Sequence, residues 1–395
     1  MEIAVIGGGA SGMFAAIAAR ENGSCVTVYE RCDRVGRKIL ATGNGRCNLT
    51  NINASEKDYH GTDTGFMRNV INSFWVEETL SKFSDMGLVC RTEDRGKVYP
   101  HCGQASAVLD VLRMKLAEDG AVIRTDFEAS DISPTKNGFI ISSYDGQKAY
   151  ADRVIIACGG KASPSLGSNG SGYELLKKLG HRITPLKPSL VQLKTEPETV
   201  KKLKGIKVEG KLTLGGRSET GEILFTEYGI SGPCAFSLSA YCEGEKYAYI
   251  DLMCEYSEEE IAEMLWTRVG IFPERRLEEF FTGMLSKRVG QALLKYLDIA
   301  PLSRLSSTLS EEEIVKIAKT IKAWRFDVIG TMSWNNAQVT HGGALTSEFD
   351  PETLESKKVK GVYACGEILD IDGDCGGYNL QWAWASGYVA GKNCV

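Results

Sequence analysis

The chain opens with a continuous apolar run, Ile3-Ala4-Val5-Ile6, that breaks into glycine at Gly7. A short unbroken run of this kind suits a strand buried on both faces. The turn from Gly7 to Gly12 leads into an alanine-rich segment, Ser11 to Asn22, that predicts a helix, and Val26 to Glu30 predicts a second strand. The stretch from Ile3 to Ala19 lacks a basic lead and is interrupted by glycines, so it reads as strand, turn and helix rather than as a signal peptide. Two later apolar runs also end in glycine. Val154 to Ala157 enters Cys158-Gly159-Gly160, and Gly361 to Cys365 enters Gly366-Glu367. Strands of a single nucleotide-type domain are therefore expected at both ends of the chain.

Between those ends the pattern changes. Ile206, Val208, Gly210, Leu212 and Leu214 alternate with Lys207, Glu209, Lys211 and Thr213, the period of a half-exposed antiparallel strand, and short strands continue to about Met253. Ser257 with Glu260 and Ser310 with Glu313 then form two S-x-x-E capping boxes. Ile314, Ile317, Ile321 and Trp324 follow at helical spacing. The expected division is a discontinuous nucleotide-binding domain over residues 1–190 and 325–395, a β-barrel-like domain over 191–255, and a small helical domain over 256–324. The fold class is α/β.

Composition narrows this picture only modestly. The 395 residues suffice for two or three cores, and a net charge of −5 favours no polyanion at the level of the whole chain. The barrel segment is locally basic: Lys194, Lys201, Lys202, Lys204, Lys207, Lys211 and Arg217 outnumber Glu196, Glu198 and Glu209. Such a surface suits either an RNA backbone or water. Twelve scattered cysteines without a C-x-x-C pair read as reduced thiols of a cytoplasmic protein, and with four histidines no metal site is expected. No run approaches the length needed to cross a bilayer, and no membrane partner is expected.

The candidate chemistry starts at Gly7-x-Gly9-x-x-Gly12. In a dinucleotide fingerprint the first glycine makes the turn, the second lets pyrophosphate approach the backbone, and the third lets helix and strand pack. Ala10 and Ser11 then lie in the first helical turn, whose free N–H groups attract phosphate. Glu30, followed by Arg31, ends the second strand where a carboxylate can accept ribose hydroxyls. The fingerprint alone does not separate FAD from NAD. The C-terminal segment favours FAD: Gly366-Glu367 follows a strand, and Gly376-Gly377-Tyr378-Asn379-Leu380-Gln381 opens a helix. In flavoproteins of the glutathione-reductase-like fold, elements so placed lie along the ribityl chain and at the flavin's pyrimidine edge, where a helix dipole stabilises the reduced anion. Ala157, Gly159 and Gly160 end another strand of the same domain.

The segment from Gly36-Arg37-Lys38 through Thr42-Gly43-Asn44-Gly45-Arg46-Cys47-Asn48 to Asn51 resembles the signature of a bacterial family of NAD(P)/FAD-dependent oxidoreductases. Its members are variously called aminoacetone oxidase-like, bile-acid reductase-like and ribosomal RNA dihydrouridine synthase. Phe225 to Pro233, Val339 to Gly343 and Asp370 to Gln381 carry the same resemblance. It implies a Rossmann-type FAD domain interrupted by a barrel and a helical piece, with Lys38, Thr42, Gly43, Arg46, Cys47 and Asn48 along the diphosphate and flavin. It also implies Ala129 against adenine. The glycines would permit close approach, and Lys38 and Arg46 would offset phosphate charge. His341 departs from the family pattern, which has a small residue before the paired glycines; it is a proton donor, a spacer or a satisfied core histidine.

By this resemblance the expected activity is reduction of an activated carbon–carbon double bond, in a uracil of ribosomal RNA or a steroid-like enone. An amine oxidase using oxygen, and a flavin-bound RNA-binding or redox-sensing protein without catalysis, are the alternatives. No second fingerprint for NAD(P)H is present, so a nicotinamide donor would bind transiently. Cys47, His341 and Tyr228 are the candidate catalytic groups, without an order among them. Cys32 and Cys47 are too far apart along the chain to form the redox pair of a disulfide reductase. The oligomeric state is not legible.

Overall fold

The computed structural model describes residues 1–395, which divide into two compact units. The first comprises Met1–Ser189 and Trp334–Val395, and the second Leu190–Ser333. No helix is long and apolar enough to cross a membrane.

The first unit is built on a five-stranded parallel sheet in the order Val362–Ala364, Arg153–Ile156, Glu2–Ile6 (β1), Cys25–Tyr29 (β2) and Val122–Arg124. Parallel pairing brings the carboxyl ends of the strands to one edge, and with them the loops starting at Gly7, Glu30, Ala157 and Cys365. The alanine-rich segment forms helix α1, Ala10–Glu21, in which Ser11 through Ala19 are all buried. The C-terminal helix, Tyr378–Asn393, is buried along most of its length. Phe14 of α1 fills the space toward Trp384 and Phe83, with ring centroids 5.1 and 5.3 Å away. A three-stranded antiparallel sheet, formed by Ala129–Thr135, Gly138–Ser143 and Lys148–Ala151, belongs to the same unit.

Leu190–Ser333 contains a closed six-stranded barrel in the order Leu193–Thr195, Gly229–Ser231, Arg217–Phe225, Lys207–Leu214, Tyr247–Asp251 and Trp324–Thr331. The predicted alternation is real: Leu212 and Leu214 are buried, while Lys207 and Glu209 face solvent. Both capping boxes form. Ser257 accepts the Glu260 N–H at 3.2 Å and Glu260 accepts the Ser257 N–H at 2.7 Å; Ser310 and Glu313 do the same at 3.2 and 2.9 Å. They open helices Glu258–Ile271 and Glu311–Lys322.

Two expectations need adjustment. Trp324 shares the helical spacing of Ile314, Ile317 and Ile321, yet it begins the barrel's closing strand. The helix ends at Lys322, and the fully buried indole of Trp324 continues the same apolar face into extended chain. Residues 325–331, expected with the nucleotide domain, therefore pair within the barrel. Barrel and helices also share one core, in which Ile250, Ile261, Ile317 and Phe326 are all buried, so they form a single compact unit.

The first unit holds a buried charge cluster around Glu348, 6% exposed. Its carboxylate accepts from the Arg182 backbone N–H at 2.9 Å and the Arg182 guanidinium at 2.7 Å, and Lys358 lies at 2.9 Å. Burial alone would push its pKa up; the Arg182 and Lys358 partners outweigh that and hold it at about 2. A depressed carboxylate contributes stability above its unfolded pKa and loses it as pH falls through the folded value. Glu348→Gln is therefore expected to cost roughly 2–3 kcal/mol at pH 7. The difference from wild type should close between about pH 5 and pH 2. Urea titrations at pH 7, 4 and 3 measure it.

Candidate active site

The fingerprint glycines occupy three different physical situations. Gly7 has φ +111°, a conformation that a side chain resists. A methyl on Gly12 would sit 1.9 Å from the Gly7 carbonyl oxygen, whereas a methyl on Gly9 would meet nothing within 4 Å. The packing glycine is thus shut and the middle glycine faces open space. Gly9 is the N-cap of α1 and no side chain caps the helix, which leaves first-turn N–H groups at Ala10 and Ser11 facing that space. Glu30, 9% exposed, accepts the Gly8 N–H and the Cys32 N–H, both at 2.8 Å, and so ties the glycine loop to the end of β2. Arg31 is held by Glu128 at 3.3 Å and donates to the Gly167 carbonyl.

Lys38 lies in the short helix Arg37–Ala41, and the turn that follows it, Thr42–Asn48, has an unusual backbone. Gly43, Asn44, Gly45 and Cys47 all have positive φ, and for Asn44 (55°) and Cys47 (59°) this is a sparsely populated state. Lys38 and Arg46, expected along the diphosphate, each have a carboxylate partner: Lys38 Nζ lies 2.7 Å from Glu367 Oε2, and Arg46 pairs with Glu93 while lying 4.0 Å above the Tyr99 ring. Thr42 donates to the Ile39 carbonyl. The Cys47 thiol is fully buried, and burial pushes its pKa up to about 12, so it is no thiolate. Cys32 and Cys47 are both thiols.

At the far end of the chain, Gly366 N–H donates to Ser386 Oγ at 2.9 Å and its carbonyl accepts from the Trp382 indole at 3.1 Å. Glu367 accepts the Thr340 N–H at 2.8 Å with its second oxygen. The Thr340 hydroxyl in turn accepts the Lys161 and Ala162 N–H groups at 2.7 and 3.0 Å, closing the turn after Ala157, Gly159 and Gly160. Gly376 and Gly377 lead into the C-terminal helix, which no side chain caps. Tyr378 accepts at its carbonyl from Tyr59, Asn379 brackets Gly373, Leu380 is half-buried, and Gln381 bridges Thr50 and Thr79.

Two buried acceptors near this helix start are unpaired: Asn48 Oδ1 and Asp372 Oδ2. A methyl on Gly377 would lie 3.0 Å from Asn48 Oδ1, so that oxygen is at the helix N-terminus. Orphan acceptors beside uncapped N–H groups ask for a ligand carrying both donors and acceptors, as the pyrimidine edge of a flavin does. The residues present therefore fit FAD.

Ala129 is buried at the start of its strand. Tyr228 belongs to the other unit, in the turn between two barrel strands, with its carbonyl accepting the Thr195 N–H. Sequence reading missed Thr340, Asp372, His60 and Asp374. His341 Nδ1 lies 2.8 Å from Asp372 Oδ1, and His60 Nε2 lies 2.7 Å from Asp374 Oδ1. The Asp370 to Asp374 block carried the signal for the carboxylates, but nothing local pairs them with histidines.

Fold and site define the class: this is an FAD-dependent oxidoreductase with a Rossmann-type FAD domain. The model of the HI0933-like protein Rossmann domain matches residues 1–393, and the chain belongs to that family. It is 42% identical to a 3-dehydro-bile acid delta(4,6)-reductase of Clostridium scindens, covering 99% of this chain and 98% of the relative. It is 30% identical to a ribosomal RNA dihydrouridine synthase of Haemophilus influenzae, over 98% and 96% of the two chains. Among solved structures, a 3-ketosteroid-delta4-(5alpha)-dehydrogenase from Rhodococcus jostii RHA1 shares the fold at TM-score 0.50 and 16% identity, covering 100% of this chain and 96% of that one.

The open and shut glycines should separate on substitution. Gly12→Ala is expected to destabilise the apoprotein by roughly 1–3 kcal/mol through overpacking. Gly9→Val should leave the apoprotein's thermal midpoint within a few degrees while weakening FAD binding at least tenfold. Calorimetry and flavin titration of the two variants read both effects.

Proposed function

We propose that the protein is a reductase of a carbon–carbon double bond conjugated to a carbonyl, with a steroid-like enone as substrate. The 42% identity to a bile-acid reductase along essentially the whole of both chains carries this reading. Gly7, Gly9, Ala10, Ser11 and Gly12 would hold the cofactor's pyrophosphate, Glu30 and Arg31 the ribose, and Ala129 the adenine. Lys38, Thr42, Gly43, Arg46, Cys47 and Asn48, with Ala157, Gly159, Gly160, Gly366, Glu367 and Gly376 to Gln381, would line the rest. FAD, when bound and reduced, supplies a hydride to the β carbon of the enone. The chain's own part is positional: the C-terminal helix start would face the edge of the flavin where negative charge collects, and Lys38 is kept in place by Glu367.

A uracil in ribosomal RNA is the second reading, supported by the relative that is 30% identical. The charge pattern of the barrel supports it less, because Lys204 and Lys207 are neutralised by Glu227 and Glu222. Buried thiols at Cys47, Cys365 and Cys394 suit a reducing cytoplasm. The electron donor is a nicotinamide that binds transiently.

The test is anaerobic. Holoenzyme reduced with NADH or NADPH is mixed with a 3-keto-Δ4 steroid, with unmodified ribosomal RNA, or with buffer. The steroid is expected to reoxidise the flavin at least a hundredfold faster than RNA does, and deuterium from the reduced cofactor should appear at the β carbon. Reoxidation by RNA alone would transfer the activity to uracil, and peroxide formed from an aminoketone in air, with both acceptors inert, would make the protein an oxidase.

A further inference from the structure

We propose that His341, held by Asp372, is the acid that protonates the carbon next to the one receiving hydride. The inference rests on the reductase reading above and deepens it. Two histidines of the first unit show what distinguishes this one. His181 is fully buried, stacked on Phe349 with centroids 4.5 Å apart, and satisfied at both nitrogens, by Glu348 at 3.2 Å and Ser356 at 2.8 Å. It is a core histidine. His341 is anchored at Nδ1 alone, its side chain is 28% exposed, and Nε2 makes no hydrogen bond within the protein. One nitrogen fixed by a carboxylate and the other left open is the arrangement of a positioned acid.

The anchor is unusual in its own right. Asp372 is 1% exposed, its Oδ1 is committed to His341 and its Oδ2 has no partner. A buried carboxylate with so little compensation stabilises a proton on its neighbour, since ionising it beside a neutral imidazole leaves an unpaired buried charge. The hydrogen bond to Asp372 raises the His341 pKa, and burial raises that of Asp372. The pair thus holds one proton more firmly than an isolated imidazole would. The other groups facing it are Asp370, which favours the imidazolium, and Lys187 opposite His341 on the paired strand, which opposes it. His60 stands opposite Asp372 in a two-residue ladder and is itself paired with Asp374.

The placement joins the dyad to the proposed flavin site. Thr340, immediately before His341, donates its N–H to Glu367, the partner of Lys38. Asp372 lies between Glu367 and the Gly376-Gly377 turn that opens the C-terminal helix. Both members therefore sit on the segments assigned to the reactive half of the cofactor, and Asp372 acts as a positioning residue through His341.

The chemistry balances. A hydride brings two electrons and one hydrogen to the β carbon, and the conjugated π pair moves to the α carbon and carbonyl as an enolate. The His341 Nε2–H bond breaks as a C–H bond forms at the α carbon. The neutral imidazole then regains its proton from solvent, and the nicotinamide donor restores the two electrons.

His341→Gln, which keeps a hydrogen-bonding side chain without a titrating proton, is compared with wild type and Asp372→Asn. Rapid mixing separates flavin reduction by nicotinamide from reoxidation by whichever acceptor works with wild type. In His341→Gln, reoxidation is expected to slow by about 10²-fold or more. Flavin reduction and the flavin absorption spectrum, which also report correct folding, should stay within about twofold. Wild-type reoxidation should be flat at low pH and fall above the raised imidazole pKa. Asp372→Asn removes that elevation, so the fall should move to lower pH. NMR titration of ¹⁵N-labelled histidines, assigned with His341→Gln, should show His341 titrating above the ordinary imidazole value in wild type and at lower pH in Asp372→Asn, with or without FAD. An unchanged reoxidation rate in His341→Gln would overturn the catalytic role, and a His341 titration unmoved in Asp372→Asn would overturn the role of Asp372. Failure of the enone with wild type would remove the substrate reading instead, leaving the comparison to be made with RNA.

Discussion

Two helices from opposite ends of the chain meet with no room for a side chain where Gly387 and Gly391 face Ser11 and Ala15, and the proposed cofactor site depends on that contact. A methyl on Gly387 would fall 2.4 Å from the Ser11 carbonyl oxygen, and one on Gly391 would fall 2.1 Å from that of Ala15. Such approach positions two N-termini, at Gly9 and Gly377, on one rigid frame. The same contact brings Gly366 against Ser11, where a methyl would lie 2.4 Å from the hydroxyl. A larger residue at any of these positions would push the two halves of the site apart. Because the parallel sheet already gathers strand ends at one edge, the helix contact needs to add only depth and orientation.

What could be read from the sequence follows the range of the interactions. The strand, turn and helix at the N-terminus depend on neighbours within about ten residues, and the glycine roles inferred there correspond to three distinct surroundings. Both capping boxes are three-residue relations and both form. Trp324 shows the limit of periodicity: an apolar residue in phase with a helix can equally begin a strand if the same face stays buried. Charge pairing is less legible still. Lys38 and Arg46 carry the sign a phosphate attracts, but sign does not reveal that Glu367 and Glu93 are also brought to them by chain folding. His341 stood out in sequence only as an odd residue before two glycines, and its meaning comes from Asp372, placed beside it by the loop after Gly366.

These pairings bear on how the site handles charge. With Lys38 and Arg46 already matched by carboxylates, little net positive side-chain charge remains for a diphosphate. In the proposed site, recognition would then lean on main-chain N–H groups at the start of α1, whose partial charge is fixed in direction and costs no side-chain entropy to aim. The matched lysine and arginine also serve as struts: Lys38 ties the short helix before the left-handed turn to Glu367, and Arg46 lies between Glu93 and Tyr99. A loop with strained φ at Asn44 and Cys47 needs such struts to hold its shape. His341 is a titrating group left with an open nitrogen in this setting. A site whose fixed charges are paired in advance confines the movable proton to a single place, which is what a reduction that must deliver hydride and proton to adjacent carbons requires.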